Sequence, residues 1–146
     1  MNNRLLLAVV LGVVLAPGCG AASDESSGIL LTRATTGADS EMDALPSGTL
    51  EIDLERGCVL LSGRPVVWPA ETALALEPPE LELPGGLTAR SGDTIRGGGG
   101  ALPAAHVRET AIEIEGDVDK ALECAPSAES IVVFTARGEA MTVSPG

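Results

Sequence analysis

The sequence predicts an all-β domain, a small antiparallel barrel or a sandwich, with at most one short helix. Three observations lead to this prediction. Apolar and polar residues alternate with a period of two, turn signals recur every eight to twelve residues, and one short segment alone has helical spacing. Many short strands separated by glycine and proline are typical of barrels and sandwiches.

The strand pattern begins at Leu50, which alternates with acidic residues through Leu54 and ends at Gly57. The next two strands are predicted to form a hairpin around a turn at Ser62 and Gly63, with prolines at the ends of the second strand. The further strand segments of this half share short apolar runs bounded by turns. They are Cys58–Leu61, Pro65–Trp68, Leu74–Leu76, Leu81–Leu83, Leu87–Arg90 and Thr94–Arg96.

The second half continues the alternation at Ile112 and Ile114. The spacing then predicts one short helix over 118–124, because Asp117 is a good capping residue and Val118 and Leu122 are four apart. The strongest strand pattern is Ile131–Phe134, and a turn at residues 137–139 is expected to pair it with residues 141–143.

The chain begins with a segment typical of an export signal. Arg4 precedes twelve uncharged residues, Leu5 to Ala16. A helix of that length extends about 18 Å, which is too short for the ~30 Å core of a bilayer. A secretory signal therefore fits better than a membrane span.

Small residues stand directly before the first cysteine, in Leu15-Ala16-Pro17-Gly18-Cys19. This run resembles the processing box of bacterial lipoproteins, although Ala16 and Pro17 depart from the usual residues. The resemblance implies cleavage before Cys19, acylation of Cys19 and an anchor in the lipid of the cell membrane or outer membrane, facing away from the cytoplasm. The alternative is an ordinary signal cut near Gly20-Ala21-Ala22, which gives a freely secreted protein.

Composition divides the chain into a signal peptide at 1–18, a lipidated flexible tether at 19–47 and a β domain at 48–146. The tether is predicted from its Ala, Ser, Thr, Gly and Asp content, which includes one apolar cluster at Ile29-Leu30-Leu31. The whole chain has 21 acidic and 9 basic residues and a net charge of −12. Binding to nucleic acid is therefore not expected, whereas a cation, a basic protein or a positively charged glycan is an electrostatically allowed partner.

If Cys19 carries lipid, Cys58 and Cys124 remain as a pair in an oxidising compartment, and we expect a disulfide between them. The enclosed loop predicts a stabilisation of about 4 kcal/mol in the chain-entropy model. Neither cysteine has a second Cys or a His within four positions, which disfavours zinc.

A second resemblance rests on four short runs. They are Gly57-Cys58-Val59-Leu60-Leu61, Pro65-Val66-Val67-Trp68-Pro69, Gly92-Asp93-Thr94-Ile95 and Gly97 to Gly100. Together they resemble a group of uncharacterised small exported bacterial proteins. The resemblance implies a compact barrel like the oligonucleotide/oligosaccharide-binding fold and implies no activity.

Two features of these runs are candidate ligand contacts. The four glycines, Gly97, Gly98, Gly99 and Gly100, would let backbone N–H groups approach an anion, but no Gly-Lys-Ser/Thr sequence opens a helix after them. A bulge or a close approach of two backbones is the favoured interpretation. Trp68 is a candidate stacking platform, but core packing is the favoured interpretation, since no second aromatic residue stands near it in the sequence.

No catalytic residue, metal ligand or cofactor is predicted. His106 is the single histidine, expected in a surface loop, and it has no neighbouring nucleophile motif. The carboxylates do not match a calcium loop, and a solvated face is expected for them. They are Glu77, Glu80, Glu82, Glu113, Glu115, Asp117 and Asp119.

We therefore expect a non-enzymatic, lipid-anchored envelope protein that binds a ligand or a protein. The two alternatives are a small extracytoplasmic hydrolase, which would have to rely on His106 and the carboxylates, and a weak divalent-cation-binding module.

Overall fold

The computed structural model describes residues 29–33, 44–107, 109, 114–135 and 141–146. Those residues form twelve strands and two short helices. The strands are β1 (Leu31–Arg33), β2 (Ser47–Asp53), β3 (Cys58–Leu61), β4 (Arg64–Trp68), β5 (Ala73–Leu76), β6 (Pro79–Leu83), β7 (Leu87–Ala89), β8 (Thr94–Arg96), β9 (Gly99–Pro103), β10 (Ile114–Glu115), β11 (Ser130–Phe134) and β12 (Thr142–Ser144). The helices are α1 (Ala104–Val107) and α2 (Val118–Glu123).

The predicted all-β class is confirmed, and the limit of one helix is wrong. The predicted helix is α2, where the Asp117 side chain accepts a hydrogen bond from the backbone N–H of Lys120. The additional helix, α1, follows directly on β9. Its first two residues are alanines, which have the highest helix propensity, and Val107 fixes its end by being fully buried.

The strands form a large branched sheet and a small sheet, and they do not close into a barrel. The large sheet has the order β10-β1-β4-β3-β2-β8-β12, with β11 joined to β4 and to β9. The small sheet has the order β5-β6-β7. The arrangement is sandwich-like.

The large sheet is mixed, which corrects the antiparallel prediction. β4 runs parallel to both β1 and β11. The strands β3 and β11 contain uninterrupted apolar runs, and the last four residues of β4 are all buried. Such runs are typical of strands covered on both faces, which is the usual environment of parallel pairs.

Local hairpins follow the sequence pattern, but one long-range pairing does not. β3 pairs with β4, β5 with β6, and β6 with β7, each antiparallel to its neighbour in the chain. The expected pairing of residues 131–134 with 141–143 is wrong. β11 instead pairs along its whole length with β9, and β12 pairs with β8. Met141, just before β12, is buried in the main core beside Gly97.

The main core is centred on the two aromatic residues. Trp68 and Phe134 are each 0% exposed, and their rings stack with centroids 5.5 Å apart. Aliphatic side chains from both sheets pack around them, among them Leu50, Leu81 and Ile95. A second cluster, on the other face of β4, holds Val67, Val107 and Val133. The packing thus joins the two sheets into one domain.

The apolar cluster Ile29-Leu30-Leu31 belongs to the folded part of the chain. β1 pairs with both β4 and β10, and Leu30 and Leu31 are only 6% and 2% exposed. The structure therefore differs from the predicted tether of 19–47, since Leu31–Arg33 form a strand of the sheet and Leu30 is buried in the main core. Burying these two leucines removes apolar surface from water, which stabilises the packing of this segment although few apolar residues surround it in the sequence.

The predicted disulfide between Cys58 and Cys124 is present, with Cα atoms 5.7 Å apart. It joins the first residue of β3 to the residue that follows α2. Both cysteines are buried, and the Arg56 guanidinium donates a hydrogen bond to the Cys124 carbonyl oxygen at 3.3 Å. The bridge therefore attaches α2 to the large sheet.

Candidate functional site

A cavity of about 350 Å³ opens between the edge formed by β1 and β10 and the start of β5. We call it the edge pocket. Its lining combines apolar side chains, two threonines and one carboxylate. The lining residues are Leu30, Thr32, Thr72, Ala73, Leu74, Glu115 and Gly116. A volume of this size lies within the range of small-molecule sites in proteins.

The strand register explains why these side chains meet. Thr32 of β1 lies directly opposite Glu115 of β10, so the two side chains share one face of the sheet. Leu30 precedes Thr32 by two residues and lines the pocket with it. Leu31 and Ile114 alternate with these residues and pack in the second cluster. One face of this edge thus packs in the second cluster, and the other lines the pocket and contributes Leu30 to the main core.

The floor of the pocket is apolar and the mouth is polar. Leu30 and Leu74 are buried and belong to the main core. Thr32 is half-buried and Glu115 is exposed. A molecule in the pocket would therefore meet leucine side chains inside and a carboxylate at the entrance.

Thr72 provides a buried polar group in the wall of this pocket. The residue is 9% exposed, and its Oγ1 makes no hydrogen bond to the described protein atoms. Its backbone N–H donates to the Pro69 carbonyl oxygen at 3.3 Å, which fixes the residue just before β5. Buried hydroxyls are usually paired, and leaving one unpaired costs about 1–3 kcal/mol. This oxygen is enclosed by the protein, so it does not face the open part of the cavity.

The candidate ligand contacts named from the sequence lie elsewhere. Trp68 has no exposed surface and stacks on Phe134 within the core. In the glycine run, Gly98 is half-buried, and Gly97, Gly99 and Gly100 are buried. These five residues do not line the edge pocket.

The glycine run brings two strands together. A Cβ atom at Gly99 would overlap the Val133 carbonyl oxygen on β11. At Gly97 it would lie 2.8 Å from the Met141 side chain and 3.1 Å from the Phe134 ring. The run therefore allows β9 and the chain before it to approach the aromatic core closely.

The candidate catalytic groups are spread over the surface. His106 is exposed on α1 and is not a lining residue of the edge pocket. Glu80 forms an ion pair with Arg90, Nε to Oε2 at 2.8 Å, and Asp117 caps α2. Among the residues the structure describes, no three His, Cys, Asp or Glu side chains form a group able to hold a metal ion.

Among the predicted carboxylates that the structure describes, Glu115 alone lines the pocket. Glu77 and Glu82 are exposed on the β5–β6 hairpin, and Asp119 is exposed on α2. Cys19 and Glu113 lie outside the described residues.

Nothing matches this chain among the protein-family models, the curated proteins or the solved structures with which it was compared. Within the described part of the chain, no helix has the length and apolar character needed to cross a membrane.

Sequence reasoning missed Thr72, Leu30 and Thr32 as site residues. The sequence offers no local signal for Thr72, which follows the charged Glu71 just before β5. Its burial next to Glu115 depends on a contact between segments more than forty residues apart, which no local pattern contains.

Proposed function

We propose that this chain is an exported, lipid-anchored protein of the cell envelope that acts by non-covalent binding of a small ligand in the edge pocket. The observation that supports this function best is a cavity of about 350 Å³ whose lining combines the buried side chains of Leu30 and Leu74 with the polar side chains of Thr32 and Glu115. A few polar groups placed in a largely apolar cavity are typical of ligand sites. Such a site binds without requiring a catalytic group.

Export and anchoring are supported by the leader and by the cysteine arrangement. Arg4 and the apolar segment that follows it are typical of a signal peptide, and Cys19 follows small residues. The buried disulfide between Cys58 and Cys124 fits an oxidising compartment. Two or three acyl chains on Cys19 would hold the protein firmly in a membrane, because each buried methylene contributes about 0.8 kcal/mol.

The anchor is tested by the intact mass of the protein purified from its native membrane, before and after reduction. We expect a chain that begins at Cys19, carries acyl mass and gains two hydrogens on reduction, one on each released thiol. An unacylated chain beginning beyond Cys19 would contradict the anchor and indicate a freely secreted protein.

The pocket is tested by a melting-temperature screen of small molecules against the exported chain and two variants. Ala73 is exposed at the pocket, so Ala73→Trp should obstruct it without disturbing the core. Ala101 is exposed on β9 away from the pocket, and Ala101→Trp is the matched control. A ligand at a hundred times its dissociation constant stabilises a protein by about 2.7 kcal/mol. Hits that stabilise Ala73→Trp as much as Ala101→Trp would contradict binding in the pocket.

A further inference from the structure

The two sheets end at strands that border the same cavity. β10 is the last strand of the large sheet on one side, and β5 is the last strand of the small sheet. The edge pocket is lined by Glu115 of β10 and by Ala73 and Leu74 of β5. Within the described part of the chain, β5 pairs with β6 alone and β10 pairs with β1 alone. The cavity therefore lies between two open sheet edges.

The open edge of β5 has backbone groups without strand partners. In an antiparallel pair, alternate residues direct both N–H and C=O toward the neighbouring strand, and the residues between them direct theirs away. The four residues of β5, Ala73–Leu76, all pair with β6 on one side. Two of the four therefore present their N–H and C=O groups at the open edge. The described residues contain no turn or loop hydrogen bond to them.

The sequence of β5 does not protect this edge. Natural sheet edges are commonly protected by charged side chains, proline or bulges, which prevent pairing with another chain. The strand β5 reads Ala-Leu-Ala-Leu and has none of these features. Leu74 is buried in the main core, whereas Ala73 is exposed and Ala75 is half-buried. Small side chains on the outer face leave room for a further strand beside it.

The cavity beside β5 offers space to the inward side chains of an added strand. Leu30 and Leu74 form its floor, and both are buried in the main core. A strand paired with β5 directs every second side chain to the face on which Leu74 lies. Apolar side chains at these positions would cover the floor. In strand addition, backbone hydrogen bonds provide affinity, and pockets for alternate side chains provide specificity.

The carboxylates around β5 favour a basic segment. Glu71 precedes the strand and Glu77 follows it, and both are exposed. Glu115 borders the cavity, and no Lys or Arg is among the described lining residues. The whole chain carries a net charge of −12. Lysine or arginine at the two ends of an added strand would therefore be attracted to this edge.

The same carboxylates disfavour a second copy of this chain as the added strand. Antiparallel pairing of two β5 strands across a two-fold axis sets Ala73 opposite Leu76 of the second copy. This register brings Glu71 of one copy to the same end of the pair as Glu77 of the other. Like charges close together across strands repel, and both ends of the pair would have this repulsion.

We propose that β5 accepts an extended segment of another protein as a further strand, with apolar side chains facing the edge pocket and Lys or Arg at its ends. This inference rests on the proposed function, because the inward side chains occupy the same pocket. It specifies the ligand as a peptide segment and assigns the main polar contacts to the backbone of β5.

The test uses capped nine-residue peptides and the exported chain with its disulfide intact. The basic peptide has three valines alternating with two threonines, between two lysines at each end. The neutral and acidic peptides have serine or glutamate in place of each lysine. Binding is followed by the backbone amide chemical shifts of Ala73–Leu76. We expect the basic peptide to bind most tightly and the acidic peptide most weakly.

N-methylated peptides distinguish strand pairing from other contacts. Methylation of a backbone nitrogen removes a donor, and only alternate residues of the added strand direct their N–H groups to β5. One basic peptide carries N-methyl groups on two valines, and another carries them on both threonines. We expect one of the two to lose about tenfold or more in affinity and the other to bind within about threefold of the unmethylated peptide. Equal binding or equal loss would overturn strand addition.

Two double variants test the role of charge. Glu71→Gln with Glu77→Gln should weaken the basic peptide by about three- to tenfold and leave the neutral peptide unchanged, since each exposed ion pair contributes little. Glu55→Gln with Glu123→Gln is the matched control. Glu55 is exposed in the turn before β3, Glu123 is exposed on α2, and neither lines the pocket. The control should bind all peptides as the parent chain does, and an equal loss in both double variants would overturn the charge argument.

The outcomes separate this inference from the proposed function. If no peptide moves the β5 amide signals, while the melting-temperature screen still gives hits sensitive to Ala73→Trp, strand addition is overturned and the pocket remains a binding site. If both experiments give nothing, the proposed pocket function is wrong as well. If the acidic peptide binds as tightly as the basic one, the basic partner is overturned. If the β5 amides become protected from hydrogen exchange as the concentration of the chain alone rises, a second copy occupies the edge and a foreign segment is overturned.

Discussion

Gly99 is a position where the fold has no room for a side chain. It opens β9, where its backbone φ is +157°, and it pairs with Phe134 of β11. A Cβ atom would overlap the Val133 carbonyl oxygen and lie 2.9 Å from the Phe134 Cα atom. Both obstacles are backbone atoms, so no side-chain rotation can relieve the overlap. The close pairing of β9 and β11 depends on this glycine.

We expect Gly99→Ala to lower the free energy of unfolding by about 2–3 kcal/mol, because the strands must separate to accommodate the methyl group. Urea denaturation measures the change. Gly86→Ala is the control, since Gly86 also has a positive φ of +75° but nothing within 4 Å of its Cβ position. It should lose only about 1 kcal/mol, from the left-handed backbone conformation. Equal losses in the two variants would contradict the packing argument.

At the scale of single residues, the sequence indicated burial better than it indicated binding. The favoured interpretations of Trp68 and the glycine run, core packing and close backbone approach, agree with where these residues lie. Each follows from size, because the largest side chain fills a core and a missing side chain permits contact. Thr72 has no such property. Its environment is made by Leu30 and Glu115, which are distant in sequence.

At the scale of elements, the sequence predicted strands more accurately than their partners. The β3–β4 hairpin follows from residues 58–68 alone, since the turn residues and the proline positions are local. The pairing of β11 with β9 does not, because it joins residues about thirty positions apart. The expected hairpin at 137–139 failed for the same reason. The two segments that the sequence pattern would join, β11 and β12, pair with β9 and β8 and not with each other.

Helix α2 is attached to the sheet mainly through its two ends. Asp117 caps its first turn, and Cys124 at its other end is joined to Cys58. None of its residues is fully buried; Val118, Ala121 and Leu122 are half-buried against the second cluster. A six-residue helix is too short to be stable by itself. The disulfide therefore contributes much of what holds this element in place.

Replacing both cysteines, in Cys58→Ala with Cys124→Ala, should lower the free energy of unfolding by about 2–4 kcal/mol. The sequence separation is 66 residues, so removing the bridge gives the unfolded chain considerable freedom. Urea denaturation midpoints give the loss. Adding a reductant should destabilise the parent chain by a similar amount and leave the double variant unaffected. A double variant as stable as the parent chain would contradict this role.

For the whole molecule, the position of β1 determines how far the domain lies from the proposed anchor. Composition predicted a tether to residue 47, because few apolar residues precede Gly48. Three residues, Leu31–Arg33, nevertheless form a strand between β4 and β10. Such a short strand is recognised only by what it pairs with. Nine residues then lie between Cys19 and Ile29, and the ten residue steps from one to the other extend at most about 36 Å.

The proposed lipid anchor therefore predicts that the edge pocket stays close to the membrane, since Leu30 and Thr32 line it. Trp68 is the only tryptophan in the sequence, and Thr32 pairs with it in the sheet. The fluorescence of Trp68 therefore reports how close the edge pocket lies to the membrane. We expect energy transfer from Trp68 to dansyl-labelled lipid in vesicles that hold the acylated protein.

An insert of about thirty Gly and Ser residues between Ala22 and Ser23 should reduce that transfer strongly, because it adds roughly 30 Å of flexible reach. The melting temperature should not change, since the insert precedes the first described strand. Cys19→Ser is the second control and should abolish both membrane association and transfer. Equal energy transfer with and without the insert would contradict this prediction. It would mean that a surface of the domain, and not the acylated Cys19, holds the domain at the membrane.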